Sequence, residues 1–322
     1  MQIYTSLDNL SLKNSCVAIG IFDGVHRGHQ EILRQTRASA KAPSEGLSIA
    51  MTFDPNPIEV LAPTRAPHYI CSVGQRLEWI DSLCGVDAAL VIPFDRTFAR
   101  LLPLEFVENV LVRCLGTRQI LVGADFRYGR DRQGSVMDLE AAGQTHGFEV
   151  TIVHPISEDG ERVSSTRVRS LVGEGQVEAA NHLLGHRFTL RGRVVDGKRL
   201  GRTLGFPTAN LSLEQPRQLL PLAGVYAGHA LIHENGAFPT KRRLPAAISV
   251  GTNPTTDGEG APISVEAFLM NGFDSDLHGA TLAIEFAGLI RPVAKFDSLD
   301  ALVAQMHRDV EQIAMVLAGE GA

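Results

Sequence analysis

The chain has 322 residues, room for two domains of ordinary size, and its 44% hydrophobic and 20% charged content describes a globular protein with proper cores. A formal charge of −6 argues against a nucleic-acid surface, which needs a basic face, while leaving small anions open as ligands. No apolar run approaches the ~20 residues of a bilayer span.

In chain order, the apolar run over residues 16–22 predicts a strand that breaks on Asp23-Gly24 and resumes as a helix over 29–40. Strand, glycine turn and helix place backbone N–H groups at a helix N-terminus, a natural seat for phosphate. His26 and His29 are three residues apart and can face one ligand once the first helical turn has begun. A second strand over 47–53 closes on Asp54-Pro-Asn-Pro57, and residues 55–67 carry four prolines, predicting a stiff exposed loop near the ligand. A helix over about 74–84, a strand over 88–93 and a helix over about 103–114 follow. After them come a strand over 119–123, a helix over about 135–147 and a strand over 149–153. Short apolar strands alternating with helices predict a parallel sheet covered on both faces. Ligands of such sheets bind beyond the carboxyl ends of the strands, where the 20–29 stretch, the Asp54 loop and Asp125 all fall.

Next comes Glu161-Arg-Val-Ser-Ser-Thr-Arg-Val-Arg169. Ser164 or Ser165 can simply cap a helix. Three hydroxyls with Arg162, Arg167 and Arg169 at a helix start also make a polyphosphate clamp, and a second phosphate seat on the same sheet favours that reading.

From about residue 188 the pattern changes to short alternating strands over 188–195, 224–231, 245–250, 263–269 and 281–289, separated by Gly and Pro turns. That pattern predicts a small antiparallel barrel, with a final amphipathic helix over about 299–317. The domain boundary is expected near Gly185-His-Arg187, giving domains 1–186 and 187–322. Gly192-Arg-Val-Val-Asp-Gly197-Lys198-Arg199 nearly spells a P-loop but lacks the Ser/Thr for magnesium, and glycines and Pro207 follow where a long helix should. In Leu204-Gly-Phe-Pro-Thr-Ala-Asn210 the oxygens of Thr208 and Asn210 fall on one side of an extended segment, and such neutral oxygens can complete a magnesium site made otherwise of phosphates and waters. Glu266, inside an otherwise apolar strand, reads either as a rim carboxylate or as a general base facing a hydroxyl substrate. The four cysteines, Cys16, Cys71, Cys84 and Cys114, lack Cys-x-x-Cys spacing. Reduced thiols and a cytoplasmic location are the better reading, and the N-terminus lacks the pattern of a signal peptide.

Taken together these segments resemble the bifunctional riboflavin kinase/FMN adenylyltransferase family, the bacterial FAD synthetases. The resemblance spans nearly the whole chain and rests on residues 20–29, Thr52-Phe-Asp-Pro55, 163–169, 205–210, Gly224-Val-Tyr226, 251–255, Phe273-Asp-Ser-Asp-Leu277 and Lys295-Phe-Asp297. It implies an α/β Rossmann-like nucleotidylyltransferase domain with a parallel sheet, making FAD from FMN and ATP. It also implies a riboflavin kinase-like antiparallel β-barrel with a C-terminal helix, making FMN from riboflavin and ATP, with Mg²⁺ in both. The adenylylating nucleophile is a phosphate already ionised at neutral pH, so that step asks for charge stabilisation and no base.

The resemblance assigns that stabilisation to His26 and His29, and nucleotide binding to Gly20, Phe22, Asp23, Gly24, Ser165, Thr166 and Arg169. In the kinase it implies Glu266 as base and Thr208 and Asn210 as contacts to Mg·ATP; Asn56, Asp125 and Arg291 become flavin-site candidates. The chain departs from the family pattern at Asn56, where a histidine is usual, and at Asp125, where an asparagine is frequent. It departs also at Thr256, at His278 and in Asn271-Gly272. A paralogue with one working activity or altered nucleotide or flavin preference, and a non-catalytic flavin-binding regulatory protein, remain alternatives. The expected partners are ATP and flavins, with no nucleic acid, no membrane, and weak homo-oligomer formation left open.

Overall fold

The computed structural model describes residues 1–41, 45–197, 200–233, 242–252, 263–270 and 277–319. Thr256, Asn271-Gly272, Lys198-Arg199 and much of the 251–255 and 273–277 signatures lie outside the described residues. The chain forms two compact units, one of Met1–Pro67 with Val73–Ser164, the other of His68–Ser72 with Ser165–Ala322.

The first unit is built from β1 (Gln2–Tyr4), β2 (Ser15–Ile19), α1 (Arg27–Lys41), β3 (Leu47–Asp54), α2 (Pro57–Leu61), α3 (Val73–Trp79), β4 (Ala88–Pro93), α4 (Pro103–Glu105), β5 (Thr117–Gly123), α5 (Val136–His146) and β6 (Glu149–Val153). A hairpin of β7 (Ser157–Glu158) and β8 (Glu161–Arg162) follows. Beyond α3 and α4 the helices run on as wider, π-type turns over Ile80–Cys84 and Phe106–Cys114. The strands make a six-stranded sheet in the order β1-β4-β3-β2-β5-β6, parallel throughout.

Strand alternation decides how the sheet is covered. Val17, Ile19, Ile49, Met51, Ile120 and Val122 face one side and pack with Phe106, Leu111 and Leu139. Ala18, Ala50 and Leu121 face the other and pack with Ile32 and Leu33 of α1 and with Ile80. The chain winds from β2 outward through β3 to β4, then returns to place β5 on the free side of β2. This reversal opens a crevice at the carboxyl ends of β2 and β5, the usual ligand position in such sheets.

The second unit contains α6 (Ser165–Gly173), α7 (Val177–Leu184), β9 (Thr189–Val195), α8 (Leu200–Thr203), β10 (Thr208–Leu213), β11 (Gly224–His233), β12 (Arg242–Gly251), β13 (Ser264–Leu269), β14 (Thr281–Pro292) and α9 (Leu299–Ala318). Its six strands close into an antiparallel barrel, β10-β13-β12-β11-β14-β9, filled by Phe188, Tyr226 and Phe286. The expectation of five strands omits β10, which pairs on both sides. Ile313 of α9 is fully buried and packs with Ala227 and Ala287.

The compact units divide at Ser164/Ser165 and the expected boundary lies at 186/187; the difference is α6 and α7. Asn181 ties α7 to the barrel, donating to the Phe286 carbonyl at 2.9 Å and accepting from the Phe188 amide at 2.6 Å. His68–Ser72 joins the barrel for a similar reason: the Tyr69 amide donates to the Arg217 carbonyl and the Leu219 amide to the Tyr69 carbonyl, at 2.9 and 2.7 Å. Among the described residues no helix is long and apolar enough to cross a membrane, and all four cysteines are free.

Candidate functional sites

The first candidate site lies in the parallel-sheet unit, on the loop between β2 and α1. Phe22 and Val25 both adopt positive φ, 52° and 38°. For a bulky and a β-branched residue this is a strained conformation that the surroundings must impose. The Gly20 amide donates to the Met51 carbonyl at 3.1 Å, and the Gln30 side chain holds the Val25 carbonyl at 2.8 Å. A Cβ on Gly20 would approach the Phe22 ring to 2.7 Å, so glycine is required there. Asp23 and Gly24 are buried within the same loop.

The structure brings the two histidines into contact. Their rings stack with centroids 3.6 Å apart, 16° from parallel, and the Phe22 ring meets His29 edge-on at 5.3 Å. The His29 amide donates to Nδ1 of His26 at 3.3 Å. With Nδ1 accepting, a neutral His26 carries its proton on Nε2. His26 is 5% exposed, so a donor at this place acts in a sheltered setting.

Asn56 caps α2, accepting from the Ile58 amide at 3.1 Å, a short-range role for which asparagine is well suited. The loop read as merely stiff contains α2 and a further helical turn, Pro63–Arg65. Asp125, beyond β5, pairs with Arg162 at 3.1 Å, and that guanidinium holds its carboxyl below the usual value of 3.8. The charge Asp125 brings to the crevice is therefore offset, while Arg162 is drawn from the 161–169 cluster toward Asp125. Ser165, Thr166 and Arg169 open α6 in the second unit, where Arg169 donates through Nε to the His68 carbonyl at 2.8 Å.

The second candidate site is in the barrel. Antiparallel pairing of β10 with β13 sets Asn210 opposite Glu266 and Thr208 opposite Phe268. Thr208 donates to one Glu266 oxygen at 3.0 Å and Ser264 donates to the other at 3.3 Å. Both carboxylate oxygens are thereby oriented, and hydroxyl, amide and carboxylate oxygens gather at one place. Ser264 escaped the sequence reading, although its position two residues before Glu266 on a strand puts both on one face. Asn210 explains one glycine of the discarded P-loop pattern: a Cβ on Gly197 would collide with its side-chain amide. Phe206, before Thr208, packs against Phe268 and against His307 of α9, with centroids 5.2 and 4.9 Å away.

Arg291, at the end of β14, is committed to Asp309 of α9. Its Nε and Nη2 reach the carboxylate at 3.0 and 2.8 Å, and its guanidinium lies 5.5 Å over the Phe296 ring. Gln305 supplies a further donor to Asp309 at 2.8 Å. Asp309 is 3% exposed, and the sequence offers no sign of its pairing with Arg291. Among the described residues, no group of three or more His, Cys, Asp or Glu side chains could hold a metal ion.

A histidine pair at the switch point of a parallel α/β sheet, and an oxygen-rich cluster in a closed barrel, define a two-module protein suited to handling phosphates. Residues 8–167 match the family described as FAD synthetase and residues 184–317 match that described as riboflavin kinase. The bifunctional riboflavin kinase/FMN adenylyltransferase of Escherichia coli K12 is 38% identical over 312 residues, 96% of each chain. That of Haemophilus influenzae is 34% identical over 313 residues, 97% of each chain. A crystal structure titled macrolide-efflux protein, from Streptococcus pneumoniae, is similar over 96% of this chain and 97% of its own, with TM-score 0.82 and 31% identity. That match carries the fold. The chain belongs to the bifunctional riboflavin kinase/FMN adenylyltransferase family.

Proposed function

We propose that the chain phosphorylates riboflavin with ATP to FMN in its C-terminal domain, 187–322, and adenylylates FMN with ATP to FAD and pyrophosphate in its N-terminal domain, 1–186. The observation that carries this is the barrel cluster: Glu266, oriented by Thr208 and Ser264 and facing Asn210 in register, supplies a base where the chemistry needs one.

In the kinase step Glu266 takes the proton of the ribityl hydroxyl as its oxygen bonds to the γ-phosphorus and ADP departs with the bridging oxygen's electron pair. Hard oxygen donors next to a place for phosphates suit magnesium, which is usually held jointly by a few protein oxygens, phosphates and waters. Thr208 and Asn210 would hold that ion, which would neutralise charge on the phosphates of ATP.

In the adenylyl step a phosphate oxygen of FMN bonds to the α-phosphorus and pyrophosphate leaves. The reading gives His26 and His29 the task of donating hydrogen bonds to charge developing there. Gly20, Phe22, Asp23 and Gly24 would shape the seat, and Ser165, Thr166 and Arg169 would bind the nucleotide. Asn56 and Asp125 are proposed to border the flavin in this half, and Arg291 in the kinase half. Support comes from the stacked rings and the constrained loop around them.

The proposal extends to a cytoplasmic location, in keeping with four free cysteines, and to small-molecule partners without nucleic acid; any homo-oligomer is weak. Purified protein given riboflavin, ATP and Mg²⁺ should accumulate FMN and then FAD on chromatography. Absence of both products would overturn the reading, and FMN alone would leave a one-activity paralogue.

A further inference from the structure

The largest fully buried side chain among the described residues is a cation, Arg76 of α3, with 0% exposure. Its Nη1 donates to the Thr52 hydroxyl at 3.0 Å and to the Phe53 carbonyl at 3.1 Å. Its Nε and Nη2 are buried without a hydrogen-bond partner, and no carboxylate lies within ion-pair distance among the described residues. A buried guanidinium with neither counter-charge nor full hydrogen bonding is costly, and an apolar residue of similar size would pack there more cheaply. Such a group calls for a reason beyond packing.

The connections of Arg76 supply one. Thr52, itself fully buried, donates its hydroxyl hydrogen to the Ile21 carbonyl at 3.0 Å. Arg76 is thus two hydrogen bonds from the loop whose strained Phe22 and Val25 present His26 and His29. The next residue along β3 after Thr52 is Phe53, the second acceptor, so one guanidinium grips the carboxyl end of β3 and, through Thr52, the loop after β2. Positive charge held in a poorly polarisable interior acts over a longer distance than a solvated one.

We propose that Arg76 is a positioning residue for adenylyl transfer, holding the phosphate seat through Thr52 and Ile21 and lending it uncompensated positive charge. This rests on reading the first unit as the FMN adenylyltransferase. The anion it favours is the polyphosphate of ATP, or the pyrophosphate released when the bond from the α-phosphorus breaks.

The test uses the full chain, with a wild-type fluorescence transition of Trp79, which lies in the same unit as Arg76, as the control for a folded protein and riboflavin phosphorylation by the same preparation as the control for the other unit. Arg76→Met keeps the length and removes the charge. It should lower kcat/KM for FMN adenylylation by about 10²-fold while kinase activity stays at the wild-type level. Arg76→Lys should recover part of that loss. Inorganic pyrophosphate should raise the melting temperature of the wild type and of Arg76→Lys, but not of Arg76→Met; a purely structural residue would leave that response intact. Thr52→Val breaks the relay without touching the charge, and should cost about tenfold in adenylylation. It carries the test if Arg76→Met does not fold. Adenylylation at the wild-type level in Arg76→Met with an unchanged pyrophosphate response, or in Thr52→Val, overturns the proposal. A wild type that makes no FAD refutes instead the reading on which it rests.

Discussion

The two units place their functional groups by different means. In the parallel-sheet unit the groups sit on a loop past the end of a strand, and the backbone is held in positive φ at Phe22 and Val25 to present two stacked imidazoles. In the barrel they sit inside paired strands, where register alone sets Asn210 against Glu266 and Thr208 against its carboxylate. The difference follows the chemistry. Stabilising charge spread over phosphates needs several donors converging from a turn, whereas proton removal needs one base held at a fixed place.

The largest effects separate the two modes. Glu266→Ala should lower FMN formation from riboflavin by about 10³-fold, within the range expected for a general base, and leave FMN-to-FAD conversion intact. His29→Ala should do the reverse, lowering adenylylation by about 10²-fold, the loss expected for a donor to developing charge. Rates for both reactions, measured on each protein, check this; equal loss of both activities in either variant would erase the distinction.

A smaller effect concerns stability. Asp309→Ala leaves Arg291 half-buried without its carboxylate, which should cost the barrel about 3 kcal/mol. Urea should then abolish riboflavin phosphorylation at lower concentration than in the wild type. The fluorescence transition of Trp79, the single tryptophan and part of the other unit, should not move. An equal shift in both signals would mean that the units do not unfold separately.

The smallest effect is expected at Asp125. Its folded-state carboxyl lies below the ordinary 3.8 because of Arg162, so any stabilisation it gives is present at neutral pH and lost as the pH falls through that lowered value. The pair is largely exposed, with side chains 54% and 70% accessible, so Asp125→Asn should change stability at pH 7 by less than about 0.5 kcal/mol. Urea titrations at pH 7 and pH 3 check this, with the difference between the two proteins smaller at the lower pH.

The fold is legible where pattern and length agree. Residues 149–153 and 88–93 read as strands because apolar runs end on turn residues, and both are strands with those bounds. The three residues of β1 are too few to show a period, and β10 reads only as extended because one of its two partners, β13, lies far along the chain and the other, β9, is reached only across the turn of α8. The passage of two helices into wider turns at Ile80 and Phe106 has no marker in composition. Among site residues, the histidine pair and Glu266 stand out because their chemistry contrasts with their neighbours. Arg76 does not, since an arginine in Val-Gly-Gln-Arg-Leu-Glu-Trp reads as a solvated helix face, and only the tertiary structure buries it. The pairs Asp125–Arg162 and Arg291–Asp309 are likewise set by packing between elements that local sequence cannot register.

The division of chemistry between the units is tested most directly by complementation. Glu266→Ala and His29→Ala proteins are each incubated with riboflavin, ATP and Mg²⁺, separately and mixed, and the flavins are resolved by chromatography. The expected result is unchanged riboflavin with Glu266→Ala, FMN with His29→Ala, and FAD from the mixture. A mixture that stops at FMN or riboflavin, from two proteins that each keep a native melting transition, would contradict the assignment of one reaction to each unit.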